Sequence, residues 1–135
     1  MPVEVGVEIG GTSVPTAWPG DVNDGGNPRS STFTKQKAGA GIAVVATSKY
    51  PSGSHYMTAR STDGTDQVLV LRDGDTVPTV GGFSGQADAS SYLTPYVDGN
   101  EIDLQRNQAI YLFELGTTDT TSAAFDRQDA VVVAT

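Results

Sequence analysis

The sequence predicts an all-β fold, a β-sandwich with jelly-roll or immunoglobulin-like topology, and three observations support this. The 135 residues match the size of one domain, and a hydrophobic content of 37% is too high for a disordered chain. The 16 glycines and 7 prolines are spread along the chain and favour frequent turns over long helices. Short apolar or alternating segments lie between the turns. We therefore expect a single domain over residues 1–135 with about eight short strands.

The first half of the chain contains three predicted strands and one irregular segment. Residues 3–9, VEVGVEI, alternate apolar residues with glutamate or glycine, which is typical of a strand with one face in water. Residues 10–38 lose all periodicity, so we expect an extended arm or a long loop there. The run IAVVAT at residues 42–47 and the segment HYMTARS at residues 55–61 are predicted as the next two strands.

A β-hairpin is predicted around Asp73 and Gly74. The strand QVLVLR at residues 67–72 precedes this pair, and DTVPTV at residues 75–80 follows it. Glycine accepts the positive φ that a two-residue hairpin turn requires. Pro78 suits an edge position or a bulge in the second strand.

One short helix is predicted near residues 88–94, with the sequence DASSYLT. Asp88 can cap its first turn, and Tyr92 and Leu93 can face inward. Pro95 limits the helix to one or two turns because proline disrupts a helix interior.

The end of the chain is predicted to complete the core. After EIDL at residues 101–104, the segment AIYLFEL at residues 109–115 is mostly apolar on both faces, which indicates a central strand. Residues 131–134, VVVA, are the second central strand. If the two pair, Gly116 to Asp129 form the connection at one end of the sandwich, and removal of residues 131–135 should prevent folding.

The charge balance points to a brine environment. The formal net charge is -8, from 16 acidic and 8 basic residues; most acids are aspartate, and lysine occurs only three times. Such a surface repels polyanions, so we expect no nucleic-acid partner. High salt screens the self-repulsion. No apolar run approaches the roughly 18 residues of a membrane-spanning helix, and the N-terminus lacks a signal-peptide pattern, so we expect no membrane insertion and synthesis in the cytoplasm.

No motif of enzymatic chemistry is recognised, and we predict that the protein is not an enzyme and has no cofactor. His55 is the single histidine, and there is no cysteine and no nucleophile elbow. The segment DVNDGG fails as a calcium loop because Gly25 and Thr32 stand where ligands are needed. A looser Ca²⁺ or Na⁺ site near Asp21 and Asp24 stays an alternative to a simple acidic turn.

Aromatic residues are the candidate subunit contacts. Trp18 lies between two prolines in the irregular segment, and a bulky aromatic there either folds back on its own core or enters a pocket of a neighbouring subunit. Together with Trp18, we predict Phe33, Tyr50 and Tyr96 as interface residues. A homo-oligomer follows from this prediction, with a trimer as one candidate.

A resemblance rests on three strings in the second half of the chain. These are VLRDGDTVP, LQRNQAIYLFELG, and a terminal D-x-Q-D-A-V-V-V strand after a polar Thr/Ser/Ala loop. Over roughly residues 66–135 the chain resembles the C-terminal ends of β-rich proteins of halophilic archaea and their viruses, including predicted pilin-like surface proteins. Archaeal pilins begin with a signal and a long apolar helix, and this chain has neither.

The resemblance implies a structural protein of an extracellular assembly. We expect a component of a haloarchaeal virion, such as a capsid decoration, turret or tail protein, made in the host cytoplasm and contacting other virion proteins such as the major capsid protein. The first alternative is the soluble head domain of an archaeal pilin or surface-layer protein at the cell surface. The second alternative is a carbohydrate-binding module or a hydrolase.

Overall fold

The computed structural model describes residues 1–16, 18, 29–79 and 89–135, and these form an all-β fold with one short helix, as predicted. The elements are β1 (Val3–Ile9), β2 (Thr12–Val14), β3 (Ile42–Lys49), β4 (His55–Arg60), β5 (Val68–Leu71), α1 (Ala89–Leu93), β6 (Val97–Asp98), β7 (Glu101–Ile102), β8 (Ala109–Phe113) and β9 (Ala130–Ala134). A 3₁₀ turn, Thr94–Tyr96, joins α1 to β6. Within the described ranges, no helix has the length and apolar content needed to cross a membrane.

The described strands form two larger antiparallel sheets and one small hairpin. The first sheet has the order β2-β1-β3-β4, the second has the order β5-β8-β9, and β6 pairs with β7. Each larger sheet therefore takes its described strands from one half of the chain. Immunoglobulin domains instead alternate their strands between the two sheets.

The second sheet is covered on both faces, which explains the two apolar faces of β8. On one face, Phe113 packs with Val3, Val5 and Val44 of the first sheet. On the other face, Ile110 and Leu112 pack against the layer formed by α1 and the β6–β7 hairpin, through Leu93, Ile102 and their neighbours. The predicted pairing of β8 with β9 is confirmed, because Tyr111 is paired with Val132 and the register continues over the whole of β9. β9 lies at the edge of the second sheet, so the prediction that it is a central strand is wrong.

The segment 10–38 begins with a strand, so the prediction of one extended arm or loop is wrong for its first residues. β2 pairs with β1 in a hairpin that places Val14 opposite Val7. The two turn residues Gly10 and Gly11 have φ angles of 61° and 80°. Two consecutive positive φ angles are the requirement of a type I′ turn, and glycine meets it without steric cost.

The predicted hairpin of β5 with residues 75–80 is also wrong. The turn at Asp73 and Gly74 forms, but the chain leaves it to meet β7: Thr76 bridges Glu101, and the amide of Ile102 donates to the carbonyl of Asp75. β5 pairs instead with β8. β8 offers apolar residues on both faces, whereas Pro78 in the predicted partner strand lacks the amide donor that a ladder requires.

The short helix lies where it was predicted, and one of its inward residues was assigned incorrectly. Leu93 and Ala89 are fully buried, four residues apart on one side of the helical turn. Tyr92 is 52% exposed, because a single turn of helix has room for one buried row only. Asp88, the predicted cap, lies outside the described residues.

Candidate functional site

The candidate site is the end of the sandwich where the turn between β3 and β4 meets the connection Gly116–Asp129. Two hydrogen bonds join these parts: the hydroxyl of the buried Ser48 donates to the carbonyl of Leu115 at 2.8 Å, and the hydroxyl of Tyr56 donates to the carbonyl of Gly116 at 3.1 Å. Both bonds link the first sheet to the segment that follows β8 of the second sheet. We call this region the loop end.

Glu114 is the centre of the loop end. It follows β8 directly and is 1% exposed. One carboxylate oxygen accepts hydrogen bonds from the amides of Gly116 at 2.8 Å and Thr117 at 3.0 Å. The other accepts from the amides of Asp126 at 2.9 Å and Arg127 at 3.2 Å. A buried carboxylate is costly unless hydrogen bonds compensate it, and here it fixes both ends of the connection at once.

The backbone of Asp126 and Arg127 is shaped to hold that carboxylate. Arg127 has a φ of 53°, the one positive value among the described residues other than glycine. Successive residues that change from right-handed to left-handed conformation direct their amides toward a common point and form an anion-binding concavity. The Arg127 side chain is held in turn, because its Nε donates to the carbonyl of Asp66 and its guanidinium lies 5.0 Å from the centre of the Phe125 ring.

Asp129 closes the same cluster and has a shifted pKa. Its Oδ2 accepts a hydrogen bond from the amide of Leu115. Burial raises the pKa of Asp129 to about 6, and the nearby carboxylates of Glu114 and Asp126 add to this increase, while the Leu115 amide opposes it. Near neutral pH the loop end therefore contains a carboxyl group that titrates within the physiological range.

Two tyrosines form the exposed part of the loop end. The rings of Tyr50 and Tyr56 meet edge to face, with centroids 5.1 Å apart and planes at 81°. They are 48% and 43% exposed. The register between β3 and β4 shifts after Ser48, so Tyr56 lies at a β-bulge. A bulge redirects a side chain out of the regular alternation, and here it accompanies the reach of the Tyr56 hydroxyl to the other sheet.

A second feature is a shallow groove of about 340 Å³ along β1, next to Trp18. Gly6 lies between Glu4 and Glu8 along β1, and both glutamates line the groove. Glu4 pairs with Lys49 and Glu8 pairs with Arg60. Hydrogen bonds from Arg60 lower the pKa of Glu8. Both carboxylates are thus paired with cations, Glu4 with one on the adjacent strand β3 and Glu8 with one on β4, the strand beyond it.

The predicted interface residues differ in their positions. Trp18 is half-buried against the core between the two sheets, which corresponds to the first of its two alternatives, folding back on its own domain. Its indole Nε1 is buried and has no hydrogen-bond acceptor among the described residues. Tyr96 is half-buried against the second core, and Phe33 is also half-buried. Tyr50 is exposed and belongs to the loop end. Their contact with another subunit stays a prediction.

Two residues of the loop end were missed from the sequence. Tyr56 could have been found, because the short turn that begins at Pro51 necessarily brings it near Tyr50. Glu114 also left a signal, since it is the one charged residue of the apolar segment 109–115. Asp21 and Asp24, the candidate cation ligands, lie outside the described residues.

The loop end is suited to binding at a preformed surface. The carboxylate of Glu114 at its centre is satisfied by internal hydrogen bonds, and its exposed part is aromatic. Within the part of the chain that the structure describes, no group of three or more His, Asp or Glu side chains has the arrangement of a metal site. No family model, curated protein or solved structure matches this chain.

Proposed function

We propose that this chain is a structural protein of an extracellular assembly, in the first place a component of a haloarchaeal virion such as a capsid decoration, turret or tail protein. The observation that supports this most is the exposed pair Tyr50 and Tyr56 on an end of the sandwich fixed by the buried Glu114. Tyrosine is enriched in protein interfaces, and a surface that is ordered before binding loses little entropy on association. The head domain of an archaeal pilin or surface-layer protein is the alternative.

The distribution of acidic residues supports a brine environment. Three of the four glutamates have internal roles: Glu4 and Glu8 are ion-paired, and Glu114 is buried. The exposed acids are mostly aspartates on turns and loops, apart from Asp98 at the end of β6. They include Asp63, Asp66, Asp73, Asp75, Asp98, Asp103 and Asp119. A surface dense in short carboxylates is suited to high salt, where screening weakens their mutual repulsion, and it keeps large assemblies dispersed.

The proposal is tested by binding to particles. Mass spectrometry of purified haloarchaeal virions should recover this chain in stoichiometric amount. Purified chain should also bind, in molar KCl, to virions stripped of it, and Tyr50→Ser should weaken that binding by about tenfold, because removing one buried aromatic anchor costs on the order of 1–2 kcal/mol. Tyr92→Ser is the matched control, since Tyr92 is similarly exposed on α1. Equal binding by both variants would refute the role of the loop end.

The second candidate is a carbohydrate-binding module, which the same exposed tyrosines favour. Aromatic rings stack on the apolar faces of sugars. The two rings lie nearly perpendicular, so they present one ring face beside one ring edge and not a flat double platform. Saturable binding of a surface polysaccharide that Tyr50→Ser abolishes, without recovery of the chain from virions, would replace the first candidate by this one.

A further inference from the structure

No described strand pairs with the outer edge of β9, and this edge differs from the other edges of the two larger sheets. β2 is three residues long and precedes Pro15, β4 contains the bulge at Tyr56 and ends at Arg60, and β5 is four residues long and precedes the charged residue Arg72. Short length, bulges, prolines and charges are the usual protection of an edge against pairing with another chain. β9 reads AVVVA, without charge, proline or register shift.

The hydrogen bonds around β8 show which groups of β9 face outward. The amide of Glu114 donates to the carbonyl of Gln67, on the β5 side, whereas the carbonyl of Phe113 accepts from Asp129, on the β9 side. The N–H and C=O groups of successive residues in a strand point to opposite sides. Phe113 and Tyr111 therefore form hydrogen bonds with β9, and their partners Ala130 and Val132 use their own backbone groups for the same bonds. The peptide groups of Val131 and Val133 therefore point away from the sheet. Outside the β8–β9 ladder, none of the backbone hydrogen bonds between described residues reaches them.

The side chains of β9 are more apolar than is usual for a strand whose outer edge is in water. Val132 is half-buried against the core between the sheets, and Val131 is half-buried against the opposite core. Val133 is 37% exposed, one of few large apolar residues with that exposure. An apolar strand of five residues with outward-pointing peptide groups is a template for strand addition.

We propose that β9 pairs with β9 of a second copy of this chain, antiparallel about a twofold axis through Val132. In that register Val131 lies opposite Val133 of the partner subunit, so the outward peptide groups exchange both hydrogen bonds at each of the two sites. The pairing joins the two three-stranded sheets into one continuous sheet. A closed twofold dimer results, in which the same patch serves both copies.

The charge pattern favours a second copy over another occupant. A chain with a net charge of -8 repels its copies over most of its surface, but β9 brings no charge into the contact. Extending the register places Asp129 opposite Thr135 of the partner subunit, so the two Asp129 side chains do not face each other. Equal strands paired about their centre are self-complementary by symmetry. This inference rests on the proposed function in one respect only: the dimer would be one of the contacts in the proposed assembly.

Amide hydrogen exchange tests the pairing without any mutation. In full-length protein in molar KCl, the amides of Val131 and Val133 should exchange several times more slowly at about 500 µM than at about 10 µM, with an upper limit of about sevenfold, because the monomer fraction of a dimer falls at most with the square root of concentration. The amide of Val132 bonds β8 and should be protected equally at both concentrations. Exchange at Val131 and Val133 that does not depend on concentration, whether fast or slow, would overturn the proposal.

A variant pair confirms the geometry by light scattering. Val133→Pro removes one outward amide donor and leaves the β8–β9 ladder intact. It should therefore raise the dissociation constant of the dimer at least about tenfold. Val133→Thr keeps the amide and the branched shape and should remain dimeric. A dimeric Val133→Pro protein would refute the pairing; should it fail to fold, the exchange measurement decides. A dimer that is absent from virions would contradict the proposed function alone, and virions with unprotected β9 amides would contradict this inference alone.

Discussion

Replacement of Glu114 is the most informative perturbation of the loop end. Glu114→Ala removes a buried carboxylate that accepts four backbone hydrogen bonds, from Gly116, Thr117, Asp126 and Arg127. Each buried amide left without an acceptor costs about 1–3 kcal/mol, although water entering the loop recovers part of this. We expect a net loss of about 3–5 kcal/mol, a large fraction of the roughly 5–15 kcal/mol that holds a typical domain folded.

Glu114→Gln separates hydrogen bonding from charge. Its amide oxygen still accepts on one side, but its NH₂ group faces two donors on the other side, so about half of the alanine effect is expected, roughly 2 kcal/mol. The assay is urea unfolding in molar KCl, where a loss of 3–5 kcal/mol lowers the midpoint by about 2 M for a typical urea dependence.

Glu101→Ala is the matched control, because Glu101 is an exposed strand glutamate. It should change stability by less than about 0.5 kcal/mol. If Glu114→Ala proved as stable as Glu101→Ala, the carboxylate would not organise the loop end, and the rigidity argument for the tyrosine surface would fail with it.

Three further predictions concern pH, salt and the C-terminal strand. The pKa of Asp129 is about 6 in the folded chain and 3.8 ordinarily, so the folded chain retains a proton that the unfolded chain has lost, and the contribution of Asp129 to the unfolding free energy should fall as pH rises from about 4 to about 6, opposite to the contribution of Glu8, whose pKa is lowered. Asp129→Asn should remove that fall and raise stability at pH 7 by about 1 kcal/mol after allowance for solvent screening, measured by thermal unfolding across pH; an unchanged pH profile would contradict the shift. The melting temperature of the wild-type protein should rise steadily between about 0.1 and 3 M KCl, and a flat response would count against a brine-adapted surface. Deletion of residues 131–135 should abolish cooperative unfolding, seen by near-ultraviolet circular dichroism, because β9 contributes to both cores; a folded truncated chain would contradict this.

The sequence predicted the fold best where local pattern and tertiary environment agree. The alternation of residues 3–9 correctly indicated a strand, and the doubly apolar segment 109–115 correctly indicated a central strand. The pairing of β5 could not be read from the turn at Asp73, because two competing partners, β8 and the residues after the turn, satisfy the same local rules. β2 was missed because three residues are too few to show a period.

The candidate site was harder to predict, since its chemistry depends on contacts between distant segments. Tyr50 was identified as an aromatic contact and the following turn indicates that Tyr56 is near it, but the hydrogen bond from Tyr56 to Gly116 accompanies a bulge after Ser48 that the sequence does not show. The role of Glu114 requires amides from residues 126 and 127, which only the closed connection brings near. The sequence shows one charged residue in an apolar segment, and the structure shows that its carboxylate binds the backbone amides of the connection.

The central claim is that this sandwich works as a subunit whose exposed apolar features are covered by companion molecules. The most direct measurement is the molar mass of the full-length protein in molar KCl, by multi-angle light scattering over a range of concentrations. The account predicts a mass that rises from one chain to a defined oligomer as concentration increases. A mass of a single chain at every concentration up to about 1 mM would contradict it.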